Sequence, residues 1–256
     1  MTAQDERRED LERYERALPR GGRQLPGGRH RFSREFVAQS QRNRILDAMA
    51  HAVAERGYDA TAVADVLELA GVSRKTFYEH FADKQDCFIA TYDTVFGRLL
   101  EGAVGAYEAE RTWPQRISAG LRVLLEALAA EPAYARACIV EVLAAGPVAI
   151  EHRDAALRAF HTFFDPSRSE VPEHRAPAIV AEATVGGIYE VIYRRIVTEG
   201  AERLGELHPE LTYLALAPFV GPAGATRVAG LQAAKAKAKP ASGKPAAAPA
   251  RRRLRP

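Results

Sequence analysis

Apolar residues recur at three- and four-residue intervals along most of this chain, the spacing of helices that each bury one face. From Ser33 onward, Phe36, Val37, Ile45, Leu46, Met49 and Val53 share such a face, and Gly57 ends it as a residue free to adopt positive φ. Val63, Val66 and Leu67 mark a second, shorter helix, with Thr61 standing where an N-cap hydroxyl would. Gly71 supplies a turn, and Ser73 caps a third short helix in which Phe77 and Phe81, one turn apart, point inward. Asp83 caps a longer helix to about Ala103, with Phe88, Tyr92, Val95 and Leu99 as its buried stripe. Ile117, Leu121, Leu124, Leu125 and Leu128 define a helix from Trp113 to Ala130, and Pro132 opens the next. Gly146-Pro147 interrupts the pattern before a segment through Phe164, and a loop is expected from Asp165-Pro166 to Pro172. A long helix is predicted over 176–200 and another from near Pro209, weakening between Pro218 and Pro222. No alternating strand pattern is present, so the predicted fold class is all-α.

The two ends differ from the middle. Residues 1–19 are charged without an apolar stripe, residues 20–30 are rich in Gly, Pro and Arg, and the chain from about Leu231 is rich in Ala, Lys and Pro. Neither end can bury a core, so both are expected to be disordered or frayed. Five arginines lie between Arg20 and Arg34 and eight Lys or Arg from Lys235 onward, with no acid in either stretch. Removing these thirteen cations from the net charge of +3 leaves the rest of the chain at −10. An acidic body with basic ends fits nonspecific attraction of the ends to nucleic acid. Arg20, Arg23, Arg29 and Arg31 could lie in a minor groove, or serve only as a solvated linker.

No apolar run approaches the roughly 18 residues of a membrane span. The start MTAQDERRED lacks a basic-then-apolar signal pattern, so a cytoplasmic location without membrane contact is expected. Cys87 and Cys138 are far apart, match no metal spacing and read as small core residues. There is no Gly-rich phosphate loop after a strand, no nucleophile elbow and no metal-spaced His/Cys set. Neither an enzyme nor a metal or other cofactor is predicted.

Thr61 to Lys84 carries the most chemistry. A helix, a tight turn at Gly71 and a short helix with Arg74, Lys75, Thr76, Tyr78 and His80 turned outward or to the rim form a device for presenting side chains to a DNA major groove. The stretch from Ile45 to Cys87 resembles the DNA-binding domain of the TetR family of transcriptional regulators. The resemblance rests on an ordered set: an apolar helix ending at Gly57-Tyr58, Thr61, AGVS at 70–73, Phe77-Tyr78, His80-Phe81 and Lys84. It implies an N-terminal three-helix domain with a helix-turn-helix, followed by a helical ligand-binding and dimerisation domain. The expected division is a flexible basic extension over 1–32, the DNA-binding domain with its linking helix over 33–103, the second domain over 104–230, and a disordered basic tail over 231–256.

By the same resemblance, Thr61 and Ser73 would hold phosphates. Arg74, Lys75 and Thr76 would reach base edges and nearby phosphates. Tyr78 and His80 would touch the backbone, and Lys84 would clamp a further phosphate. Glu79 is out of place beside phosphate; it either accepts from a cytosine amino group or points sideways. The partners implied are double-stranded DNA with an inverted-repeat operator, a second copy of the chain bound through about 176–220, and a small, mostly apolar effector. Trp113, Tyr134, Cys138, Glu141, His161 and Tyr189 are the candidate effector contacts, with Phe160, Phe163, Phe164 and Arg194 as further candidates. The expected function is a sequence-specific repressor released from its operator by the effector. The alternative is a nucleoid-type architectural protein without ligand control.

Overall fold

A computed structural model describes residues 34–165 and 176–231. The expectations for the N-terminal extension, the loop after Asp165 and the C-terminal tail beyond Leu231 lie outside these residues. Among the described residues there are helices and turns and no strand.

Helix α1, Arg34–Arg56, buries Ile45, Leu46, Met49 and Val53 and stops at Gly57, whose φ of 82° suits glycine. Helix α2, Val63–Ala70, begins differently from the expectation. Ala62 is its N-cap, and the side chain of Asp65 reaches back to accept from the Ala62 N–H at 2.8 Å. Asp65 also receives Arg56 Nη1 at 2.7 Å, tying the start of α2 to the end of α1. Gly71 adopts the left-handed conformation (φ 61°, ψ 42°), which turns the chain into α3, Arg74–His80. Ser73 caps α3 as expected, its Oγ accepting from the Thr76 N–H at 3.1 Å. Helix α4, Lys84–Glu108, has the predicted Asp83 cap, with Asp86 returning a bond to the Ala82 N–H. It extends one turn beyond Ala103.

Helix α5, Trp113–Ala130, folds back along α4. The two backbones approach closely: a Cβ added at Gly120 would lie 3.2 Å from the Ala103 carbonyl oxygen. Helix α6, Pro132–Ile139, leads through a 3₁₀ turn at Glu141–Leu143 into α7, Pro147–His161, and a second 3₁₀ turn at Thr162–Phe164. Helix α8, Ala178–Glu199, is followed by a 3₁₀ turn at Leu204–Leu207 and by α9, His208–Val228. Helix α9 is kinked at Gly221 (φ 71°), between Pro218 and Pro222, where the apolar pattern weakens.

Three apolar clusters hold these helices together. The first joins α1, α2, α3 and the start of α4 to Ala137, Cys138, Val142 and Ala149, so the N-terminal helices share a core with α6 and α7. The second packs Leu121, Leu125 and Leu128 of α5 against Ile192, Ile196, Leu204 and Leu211. The third gathers Trp113, Ile117, Phe164, Val185, Leu216 and Phe219. No single helix among the described residues is long and apolar enough to cross a membrane.

Candidate nucleic-acid interface and ligand cavity

Helix α3 is seated by Phe77 and Phe81, which are 0% and 3% exposed. Their burial turns Arg74, Lys75, Tyr78 and Glu79 to the surface. Lys75 is 87% exposed and lies 3.8 Å from the Glu79 carboxylate, a pairing too solvated to hold it. Glu79 thus points along the helix toward Lys75. Tyr78 is half exposed, with its ring edge-on to Phe77. Thr76 and His80 are partly buried: the Thr76 hydroxyl is 2.9 Å from Ser73 Oγ, and the His80 ring lies beside Phe81. Leu69, on α2, is another exposed residue near the turn and was not singled out from the sequence.

Two expected phosphate ligands are occupied elsewhere. The Thr61 side chain is 2% exposed, and its hydroxyl donates to the carbonyls of Gly57 at 2.8 Å and Ala52 at 3.3 Å. It fastens the α1–α2 connection from inside and does not cap α2. Lys84 also turns inward. Its Nζ donates to the Tyr58 carbonyl at 2.9 Å and the Thr61 carbonyl at 3.0 Å, and lies 4.2 Å from the Tyr58 ring centroid. The ammonium therefore ties the loop before α2 to the first turn of α4. Replacing Lys84 by Met is expected to lower stability by about 1–3 kcal/mol, because two carbonyls lose a charged donor. Urea unfolding measures this directly; a change of under a few tenths of a kcal/mol would show that the brace is idle.

The loop held by Lys84 also meets the second half of the molecule. The Tyr58 N–H donates to Glu141 Oε2 at 3.0 Å, and Glu141 Oε1 lies 3.4 Å from Arg136 Nη2. Gln85 donates to the Ala145 carbonyl at 2.8 Å, and the Tyr134 hydroxyl donates to Asp47 at 3.0 Å. Burial and the neighbouring Asp47 raise the pKa of Tyr134 and keep its phenol protonated. Two of the residues expected to contact an effector, Tyr134 and Glu141, thus belong to a polar joint between the N-terminal helices and α6.

A cavity lies between α4, α5, α6, α7, α8 and α9, with about 970 Å³ of atom-free space, part of it continuous with solvent. Of the expected contacts, Cys138 and Tyr189 line it, as do Phe160, Phe163 and Phe164. Trp113 does not: its ring is fully buried against Phe164 and Phe219, and its Nε1 donates to the Phe163 carbonyl at 2.8 Å. His161 faces a separate depression with Asp165 and Glu182, and Arg194 is exposed and paired with Glu190. Leu99, Leu121, Leu124, Leu128 and Ile188 complete much of an apolar wall. Burial pushes the Cys138 thiol up to about 12, so it behaves as an apolar wall residue. Among the described residues no cluster of His, Cys, Asp or Glu could hold a metal ion.

Residues 45–91, which span α1 from Ile45, the turn, α3 and the start of α4, match the family model for bacterial regulatory proteins of the tetR family. Residues 45–91 are a tetR-family domain. Two curated relatives illustrate the extent of the similarity. The HTH-type transcriptional activator FasR of Mycolicibacterium smegmatis is 25% identical over 107 residues, covering 42% of this chain and 49% of FasR. The HTH-type transcriptional regulator BetI of Rhizobium meliloti is 31% identical over 87 residues, 34% of this chain and 43% of BetI. The chain thus spans about half or less of the length of these relatives. Among solved structures, the fatty acid degradation regulator FadR of Bacillus halodurans aligns with a TM-score of 0.63 at 18% identity, over 69% of this chain and 94% of FadR. FadR of Bacillus subtilis, in complex with stearoyl-CoA, aligns with a TM-score of 0.60 at 18% identity, over 70% and 98% of the two chains. These likenesses establish that the helical fold shared with these structures extends well beyond residue 91.

Proposed function

We propose that this protein is a sequence-specific DNA-binding transcriptional regulator, a homodimeric repressor released from its operator by an apolar effector. The observation that carries this reading is the pairing of a rigidly seated α3, with Arg74, Lys75 and Tyr78 exposed, with an apolar cavity behind the same core. Arg74 is the residue proposed to read a guanine, because its fork matches O6 and N7. Lys75, Tyr78 and the Ser73–Thr76 pair are proposed to position the helix on phosphates. The reading domain is itself slightly acidic, with six Lys or Arg against eight acids over 35–84. Its binding therefore depends on a few placed contacts and on symmetry, which disfavours an architectural protein that coats DNA through charge.

Dimerisation is proposed through α8 and α9. Ile179, Ala183, Gly186, Glu190 and Val197 form an exposed stripe at helical spacing on α8, and Leu214 and Pro218 are exposed on α9. Small residues at the centre of that stripe allow a partner helix to approach. Two copies joined in this way would set two α3 helices on successive major grooves.

The effector is proposed to carry a long aliphatic chain. The cavity wall is chiefly leucine, isoleucine and aromatic carbon. The named regulators of fatty acid metabolism among the relatives, and the stearoyl-CoA bound by FadR of Bacillus subtilis, support this choice. Cys138 and Ile139 of α6 line the cavity, while Arg136 and Glu141 beside them hold the Tyr58 loop. A ligand that displaces α6 would thereby shift the population of N-terminal domain orientations.

Binding of a labelled operator, followed by anisotropy, tests this function. Stearoyl-CoA is expected to release the wild-type protein. Arg74→Ala is expected to cost about 1–3 kcal/mol on the operator and much less on random duplex. Equal losses on both DNAs would assign Arg74 to phosphate contact, and an operator complex indifferent to acyl-CoA would remove the aliphatic effector.

A further inference from the structure

The wall of the cavity contains no lysine, arginine or histidine. The polar groups on it are the Tyr92 and Tyr189 phenols, the Tyr107 phenol and the Cys138 thiol. The Tyr107 hydroxyl donates to the Phe163 carbonyl and the Tyr189 hydroxyl to the Ile139 carbonyl. A cation stands immediately behind this surface. Arg153 lies on α7 one turn before the wall residue Ala156, and its guanidinium carbon is 4.6 Å from the centroid of the Tyr189 ring.

Arg153 hydrogen-bonds the Tyr189 side chain as well as lying over its ring, yet it is incompletely satisfied there. Its Nη1 donates to Asp154 at 2.8 Å, but Asp154 is its neighbour in sequence and its side chain is 44% exposed. That carboxylate is partly hydrated and neutralises the guanidinium incompletely. The Arg153 Nε is shut off from water and has no hydrogen-bond partner among the described residues. A buried guanidinium N–H without an acceptor is unfavourable, and an arriving oxyanion would supply both the acceptor and the opposite charge. The side chain is 24% exposed to solvent, and it meets the cavity wall through the Tyr189 ring. This is the placement needed for an amphiphile whose chain is buried and whose head stays near water.

We propose that Arg153 receives the oxyanion, carboxylate or phosphate, at the head of the effector's aliphatic chain, with Tyr189 orienting the guanidinium beneath it. The inference rests on the cavity's being the effector site, and adds to it a charge requirement on the ligand. A planar fork stacked on a ring suits a two-oxygen acceptor better than a lysine ammonium would.

The test is calorimetric titration of the full chain with dodecanoate, dodecanoyl-CoA and dodecan-1-ol. These share one chain and differ in the head group. Wild type is expected to prefer at least one of the two anions over the alcohol by about tenfold or more, the effect of a charged hydrogen bond. In Arg153→Met that preference should vanish while the alcohol binds within about twofold of wild type. Arg153→Lys should keep part of it. Loss confined to dodecanoate identifies the carboxylate as the occupant, and loss confined to dodecanoyl-CoA identifies the phosphates. If wild type binds all three ligands equally, or if Arg153→Met keeps the anion preference, the cavity reading stands and the role of Arg153 is overturned. If wild type binds none of the three, the aliphatic effector itself is wrong and Arg153 falls with it. The head-group comparison on wild type needs no variant and decides the matter even if Arg153→Met fails to fold.

Discussion

Phe77→Ala is expected to lower the stability of the protein by about 3–5 kcal/mol, the usual loss for a fully buried aromatic side chain. Phe77 is 0% exposed and lies within ring-contact distance of Tyr78 and Phe81. Helix α3 has seven residues, too short to persist without tertiary packing. Its position depends on Phe77 and Phe81, on the Ser73 cap and on the Gly71 turn. Removing the ring frees the helix as well as opening a cavity, so operator binding should be lost at temperatures where most of the chain is still helical. Urea unfolding and far-UV circular dichroism, measured with operator binding, check both parts. A loss below about 1 kcal/mol, with DNA binding intact, would mean that α3 is held by something other than its aromatic pair.

Gly186→Arg is expected to convert the proposed dimer to a monomer and to weaken operator binding by about a hundredfold or more, because each half-site then binds alone. The substitution is unusually clean. A Cβ added at Gly186 meets nothing within 4 Å in the monomer, and the residue is exposed in mid-helix. Replacing glycine in a helix is intrinsically favourable by about 0.5–1 kcal/mol, so a folding defect within the subunit is not expected. The large side chain meets an obstacle only if another helix packs on that face. Sedimentation velocity and operator titration measure the two consequences. A dimer that survives with unchanged affinity would move the interface elsewhere.

Much of the helical framework is legible in the chain because its breaks are made by residues with few conformational alternatives. Gly57, Gly71, Gly146 and Gly200 all have positive φ where a break or turn is expected, and Trp113, Pro132 and Pro147 open helices where the pattern puts them. Site residues were harder to read, because one side-chain type serves several ends. The Thr61 hydroxyl and the Lys84 ammonium suit phosphate oxygens, yet here they are bonded to backbone carbonyls, which are oxygens too. Residue type alone could not separate the two uses. Asp65 did carry a signal, an acid three residues after a helix start, which is the position of a reciprocal cap.

The cavity shows the same division. Cys138 and Tyr189 were reachable from the sequence because they lie on the inner stripes of α6 and α8. Trp113 and His161 have side chains suited to ligand contact, but their places depend on how α5 and α7 meet α9 and the 3₁₀ turn at Thr162–Phe164. Tyr134 and Glu141 flank the cavity-lining residues Cys138 and Ile139 in sequence but face the N-terminal helices, with polar partners that are 87 and 83 residues away in sequence. Arg153 resembles any other charge on an amphipathic helix until Tyr189 is seen beneath it.

The central claim is that α3 reads sequence from a symmetric dimer. It is tested most directly by selecting bound duplexes from a random pool with the full chain and with Arg74→Ala. The account predicts that the wild-type chain enriches an inverted repeat with half-sites about one helical turn apart, and that Arg74→Ala loses preference at one symmetric base position in each half. Recovery of duplexes with no shared motif, or of the same motif at every position with Arg74→Ala, would contradict it.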